Sequence, residues 1–324
     1  MSFPAEPERT DKRGLFLVQD PALRAKILPL FSFDPGAADE RPRGYGTAYR
    51  VDLWGTCATA FHVVEDLLTV DNGRAVLRKE IRLTALEFEG IAYGRVPIPQ
   101  DSWRPFSGMS AICGIETPPI GEPRVRNATE LAALHIVRSA GARGVTPFLP
   151  LDMRRWQPEP GVRVMALGFA DLDIDCQGEG DTRAITQYLY GSLATITEVQ
   201  PPNSTSSRPW PIFRVKAEWP GGMSGGPVFN DAGHVIGIVS TGLVGGGIGT
   251  ATSFSGWDFA ERTFTTLDPD NPGMLRCWAA FDAYDQLVNY APARELLENL
   301  VNEGKARVIR RTVLNPVTRD CVYF

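Results

Sequence analysis

The chain has 324 residues, 43% of them hydrophobic and 22% charged, with a formal net charge of -5. This is the composition of a globular protein long enough to bury a substantial core. The slight negative balance, without a basic block, argues against nucleic acid as a primary partner, since phosphate binding needs clustered Lys and Arg.

No stretch approaches the roughly 20 apolar residues of a membrane helix, so no membrane association is expected. The N-terminal segment MSFPAEPERTDKRGLFLVQD lacks the basic-then-apolar pattern of a secretory signal. That points to a cytoplasmic protein, although a mature secreted chain would look alike here. Cys57, Cys113, Cys176, Cys277 and Cys321 are odd in number and scattered. They read as buried free thiols rather than a disulfide framework. The histidines and cysteines show no metal-ligand spacing, and neither metal nor cofactor is expected.

In chain order, residues 1–42 read as an N-terminal arm, punctuated by Pro4, Pro7, Pro21 and Pro35. From about Gly44 the pattern changes to short β-type runs: Thr47–Leu53, Ala75–Leu77, Ile81–Phe88, Leu131–Val137, Val162–Phe169, Phe213–Ala217 and Val235–Ser240. Short strands at this spacing predict barrels or sandwiches, not alternating strand and helix. The proline-rich stretch Gly141–Gly161 reads as a connector, and residues 199–210 as a loop. Beyond Phe254, Leu275–Val288 and Ala293–Val301 carry apolar residues at helical spacing.

The most informative segment is Trp219–Gly226, WPGGMSGG, followed by PVF. A serine hydroxyl is a poor nucleophile unless a base takes its proton, and it needs N–H donors aimed at the developing oxyanion. Glycines on both sides of Ser224 free the backbone for that geometry. The same letters satisfy G-x-S-x-G, the elbow of another hydrolase fold, which requires a helix directly after the serine. Gly225-Gly226-Pro227 are the poorest helix formers, and only His234 follows, in a turn-like segment. That elbow is excluded; a non-catalytic glycine turn remains the plain alternative.

Upstream, Gly46-Thr47-Ala48-Tyr49-Arg50-Val51 precedes Cys57-Ala58-Thr59-Ala60-Phe61-His62-Val63-Val64. This resembles the trypsin/chymotrypsin-like serine protease family, in which a G-[ST]-[AG]-[FY] strand precedes a strand ending T-A-x-H. GMSGGPVF (Gly222–Phe229) and Gly237–Gly242 follow in the family's order. Val63-Val64, where many members carry a cysteine, makes the chain most similar to bacterial, disulfide-free members. The resemblance implies an all-β fold of two antiparallel six-stranded Greek-key barrels. We therefore expect an arm over 1–42, barrels over 43–150 and 151–254, and a partly helical extension over 255–324.

The resemblance further implies Ser224 as nucleophile and His62 as general base, with the N–H groups of Gly222 and Ser224 as oxyanion hole. The family's Asp, at the head of a D-[IL]-A-[LV]-L strand, is matched by Glu130 in Glu130-Leu131-Ala132-Ala133-Leu134. Asp101, in a polar loop, is the alternative. Strand alternation puts His135 on the opposite face from Glu130, in a structural role. Ser240, Thr241 and Gly242 match the edge strand that pairs with substrate backbone. Glu218 falls at the base of the specificity pocket and would favour Lys or Arg before the scissile bond. Met223 replaces an Asp that pairs with a new N-terminus in secreted members, so that activation route is absent. Control would then come from the arm, the extension or a regulatory protein partner.

The function expected is peptide-bond hydrolysis through an acyl-enzyme, on a protein or peptide substrate. The alternative is a peptide-binding or scaffolding module on a protease fold, with weak or no catalysis.

Overall fold

The computed structural model describes residues 3–33, 43–51, 56–87, 95–97, 100–136, 147–149, 151–152, 158–172, 184–186, 188–203, 205, 208–240 and 247–254. Beyond these it describes 265–267, 275–277, 299, 301–304, 307–314 and 317–323.

Thirteen strands build the two halves. They are β1 (Leu15–Leu17), β2 (Ile27–Phe33), β3 (Arg43–Arg50), β4 (Thr56–Ala60), β5 (Arg82–Leu86), β6 (Trp103–Glu116) and β7 (Arg124–Ile136). After them come β8 (Arg163–Ala170), β9 (Tyr188–Gln200), β10 (Ile212–Lys216), β11 (Pro227–Phe229), β12 (Val235–Val239) and β13 (Ile248–Ser253). Two helical turns interrupt them, α1 (Pro21–Arg24) and α2 (Phe61–Glu65). The first barrel closes in the order β7-β4-β3-β2-β5-β6. The second runs β9-β8-β11-β12-β13-β10 and closes by pairing β9 with β10, while β1 adds to β9. The expected pair of six-stranded antiparallel barrels is therefore the fold.

Alternation and closure explain the cores. Leu28 and Leu30 of β2, Tyr49 of β3, Ala58 of β4 and Leu134 of β7 are all buried in the first half. Phe213, Val215, Val228, Ile236 and Val239 fill the second. Closing each barrel pairs each of its six strands with two neighbours, and β1 is left as an outer strand on β9. Cys57 is buried and Cys113 half-buried, and neither is in a disulfide among the described residues.

The arm expected over 1–42 is corrected. Ile27–Phe33 is a stave of the first barrel, pairing with β3 and β5. Pro29 is tolerated because it pairs only with Thr47 of β3; pairing with β5 begins at Leu30. Leu15–Leu17 meanwhile pairs with Tyr190–Ser192 of the second barrel. The N-terminal segment thus belongs to both barrels. Between the barrels, the Leu149 N–H donates to Arg50 O at 3.0 Å and the Asp152 N–H to Val235 O at 2.8 Å.

In the C-terminal extension, Leu275–Cys277 is a strand, not the start of a helix. It pairs with Thr265–Leu267 and, through Arg276, with Val317–Tyr323, which pairs with Arg307–Leu314. A short apolar run fits helix and strand templates alike, and partners decide between them. The rest of the expected helix, 278–288, lies outside the described residues. So do most residues of 293–301, where Asn299 and Val301–Asn302 are helical.

Phe16 ties the N-terminal segment down. It is 2% exposed, and a Cβ added at Gly191 would lie 2.3–2.8 Å from its ring atoms. Phe16→Ala should lower stability by about 3–5 kcal/mol, read as a lower urea midpoint with fluorescence or circular dichroism. A loss below about 1 kcal/mol would show that the segment is not part of the cooperative fold.

Candidate active site

The site forms where the two barrels meet. β4 ends at Ala60, whose extended backbone (φ -74°, ψ 140°) turns directly into α2. His62 thereby leaves the barrel wall with its side chain 28% exposed, while Phe61, Val63 and Val64 are buried beneath it.

Glu130 faces it from β7 and is 2% exposed. His62 Nδ1 is hydrogen-bonded to Glu130 Oε1. The same oxygen accepts from Ser240 Oγ at 3.0 Å, and Oε2 accepts from Asn127 Nδ2 at 2.6 Å. A carboxylate taken out of water must recover its lost hydration from such donors. With Nδ1 tied to the carboxylate, Nε2 is the ring nitrogen left to exchange a proton. Glu65, one turn further along α2, feels this charge. Burial first, then repulsion from Glu130 and Asp66, raises its carboxyl above the ordinary value, with His62 opposing.

Ser224 sits on the glycine turn. Gly222 and Gly225 have φ of +90° and +85°, and a Cβ on either would lie 2.2 Å from an oxygen, Phe169 O for Gly222 and Thr47 O for Gly225. Only glycine fits there. Thr47 of the first barrel holds this turn. Its N–H donates to Ser224 O at 2.8 Å, and its hydroxyl donates to Gly222 O at 2.7 Å while accepting from the Phe169 N–H at 3.0 Å. Gly221 O accepts from the Asp171 N–H at 3.2 Å. Because the peptide is trans, pinning Gly221 O sends the Gly222 N–H the opposite way. Among the described residues, the N–H groups of Gly222 and Ser224 have no acceptor, as an oxyanion hole requires.

Ser224 Oγ donates to Ser240 O at 3.1 Å. Among the described contacts there is no hydrogen bond from Ser224 to His62; such bonds often tighten only with substrate in place. Ser240 therefore touches both sides of the site, its hydroxyl on Glu130 and its carbonyl on Ser224.

The other sequence candidates fall as follows. Asp101 is exposed in a 3-10 turn, its carbonyl bonded to Arg104. His135 stands near Thr56, its Nδ1 3.4 Å from the hydroxyl. Glu218 is half-buried, not fully buried, and no hydrogen bond or ion pair of its carboxylate is found among the described residues. Thr241 and Gly242 lie outside the described residues. Met223 is fully buried with Val228, Val239 and Trp219 in the second core. Three contributors were not read from the sequence: Asn127, the hydroxyl of Thr47, and Asp171. Asn127 acts across a bulge, the Thr47 hydroxyl between barrels and Asp171 between distant segments of the second barrel, where spacing along the chain carries no signal. Among the described residues there is no cluster of His, Cys, Asp and Glu suited to a metal, and no helix long and apolar enough to cross a membrane.

Residues 44–238 match the sequence model of the trypsin-like peptidase domain. A search of the curated proteins found no match. Among solved structures, the chain is similar to an inactive serine-to-alanine mutant of Rv3671c from M. tuberculosis H37Rv, with 14% identity and a TM-score of 0.40. That comparison covers 76% of this chain and 90% of the other. The sequence match spans more than half of the chain, and the residues that carry the resemblance all lie within it except residues 239–242. The chain belongs to the trypsin-like peptidase family.

Proposed function

We propose that this protein is a serine endopeptidase that cleaves peptide bonds through an acyl-enzyme. The observation that carries this reading is the buried Glu130 carboxylate on His62 Nδ1, beside a serine turn whose two N–H groups are unoccupied. In the forward step His62 Nε2 takes the Ser224 proton as Oγ attacks the substrate carbonyl carbon. The N–H groups of Gly222 and Ser224 stabilise the oxyanion. The same proton passes from His62 to the leaving amine as the C–N bond breaks. Water, deprotonated by His62, then releases the acid and restores Ser224.

Glu218 supports a preference for Lys or Arg before the scissile bond. It is a partly exposed carboxylate, close in sequence to the serine turn, with no cation on it among the described residues. We place the protein in the cytoplasm, acting on a protein or peptide, with its activity regulated. Control through the N-terminal segment, or through a protein partner that binds there, has a physical basis. Arg13 reaches Asp171 at 2.7 Å and Asp11 at 3.0 Å, and Asp171 supplies the N–H that pins Gly221 O. Buried Met223 offers no carboxylate for the ion pair used in secreted members.

A second reading, a peptide-binding module with little catalysis, draws on the bond from Ser224 Oγ to Ser240 O. A fluorophosphonate probe separates the two. The endopeptidase reading expects one adduct on Ser224, none in Ser224→Ala, and peptide cleavage that Ser224→Ala abolishes. Peptide binding without adduct or cleavage would establish the second reading instead. If cleavage occurs, product termini should be mainly Lys and Arg, and Glu218→Ala should remove that bias.

The N-terminal clamp adds a pH dependence. Burial opposes the charge of Asp11, but hydrogen bonds from the Leu15 N–H and from Arg13 outweigh it and hold the carboxyl below its ordinary value. A lowered carboxyl contributes fully above the ordinary range near pH 4, and that contribution is lost as pH falls through the lowered value. Arg13→Ala should slow probe labelling by up to about fivefold at neutral pH, the size of a part-exposed pair. The ratio of wild type to Asp11→Ala should converge toward one below about pH 4. Rates unaffected by Arg13→Ala at neutral pH would dismiss the clamp.

A further inference from the structure

Asn127 and Glu130 are separated by an odd number of positions, so a regular strand would point them to opposite faces. Here they meet. β7 pairs with β6 at Asn127↔Cys113 and again at Ala132↔Ala111, leaving Ala128–Leu131 opposite Ile112. Pairing with β4 begins at Leu131↔Ala60, beside the start of α2. Such a bulge re-aims side chains, and this one turns Glu130 inward to His62 and brings Asn127 onto the same carboxylate.

The orientation of the Asn127 amide follows from chemistry. Its nitrogen lies 2.6 Å from Glu130 Oε2; the flipped amide would set two acceptors against each other. Its other end is unsatisfied among the described residues, where the buried Asn127 Oδ1 has no partner. A buried orphan acceptor is costly, so the position is not explained by packing alone. What the amide supplies is the donor to Oε2.

A glutamate has a use for that donor. It carries one more rotatable bond than aspartate, and its terminal torsion is broad. His62 and Ser240 both hold Oε1, about which the carboxylate can pivot. A donor on Oε2 fixes the plane. Resting on the proposed reaction, we propose that Asn127 is a positioning residue that lets a glutamate serve as the third member of the triad. It acts through Glu130 and touches no reacting atom.

The test combines a readout that needs no turnover with one that does. In wild type, the Nδ1 proton of His62 should give a resolved far-downfield proton resonance from its bond to Glu130. Asn127→Ala should broaden or abolish that resonance and slow fluorophosphonate labelling about tenfold, the scale of one hydrogen bond to a charged group. Asn127→Asp keeps the shape but replaces the donor with a like charge, and should slow labelling further; it also serves if Asn127→Ala does not fold. In a Glu130→Ala background, Asn127→Ala should cost nothing more, since its partner is gone.

The proposal is overturned if the foldable variants keep both the resonance and the labelling rate. It is equally overturned if Asn127→Ala costs the same factor with and without Glu130. Loss of the resonance in Asn127→Ala, in a protein whose wild type takes no probe, would uphold the positioning role while ending the endopeptidase reading.

Discussion

A carboxylate 2% exposed can remain an anion only where donors replace the water it has lost. Leaving it half-solvated would cost on the order of several kcal/mol. Glu130 meets that condition through three side chains from three elements: His62 from α2, Ser240 after β12, and Asn127 from its own strand. The first barrel contributes the imidazole and the carboxylate, and the second contributes a hydroxyl. Correct docking of the barrels and correct placement of the charge are therefore one requirement. A shift at the interface would remove the Ser240 donor from the carboxylate that is bonded to His62 Nδ1.

The Ser224 side obeys the same logic with neutral groups. Thr47 is fully buried and connects three points of the second barrel, Phe169, Gly222 and Ser224. The serine turn is thus fastened to the barrel that carries His62. Asp171 fixes the neighbouring peptide, and Arg13 fixes Asp171. The N-terminal segment, running from β1 on the second barrel to β2 in the first, straddles this junction. It is the structural link between the start of the chain and the geometry of the site.

Much of this was legible in the sequence, for physical reasons. Glycines at 222 and 225 are forced by positive φ and close oxygens, so the motif around Ser224 is rigidly written. Thr59-Ala60-Phe61-His62 marks the end of a strand, and Glu130-Leu131-Ala132-Ala133-Leu134 matches the family's strand that carries the third residue. The short β-type runs pointed to barrels or sandwiches, and the family resemblance implied the pair of barrels. Pro29 concealed β2, because a proline in an apolar run argues against a strand unless one neighbour is missing at that position. Asn127 was not legible, since its partner is decided by a bulge, and Thr47 was not, since its partners lie in the other barrel. Glu218 was placed by analogy as a buried charge and is half-buried. Leu275–Cys277 fitted a helix by spacing and became a strand through its pairing.

The central claim is that Glu130 orients His62 as the base for Ser224. Glu130→Gln tests it most directly: the amide keeps the size of the side chain but removes its charge and offers a donor in place of an acceptor. The measurement is the second-order rate of fluorophosphonate labelling at neutral pH, with folding checked in parallel by thermal unfolding. The account predicts a folded variant labelled roughly a thousandfold more slowly than wild type. A folded variant labelled within about twofold of wild type would contradict it, since a residue that matters this little cannot be orienting the base.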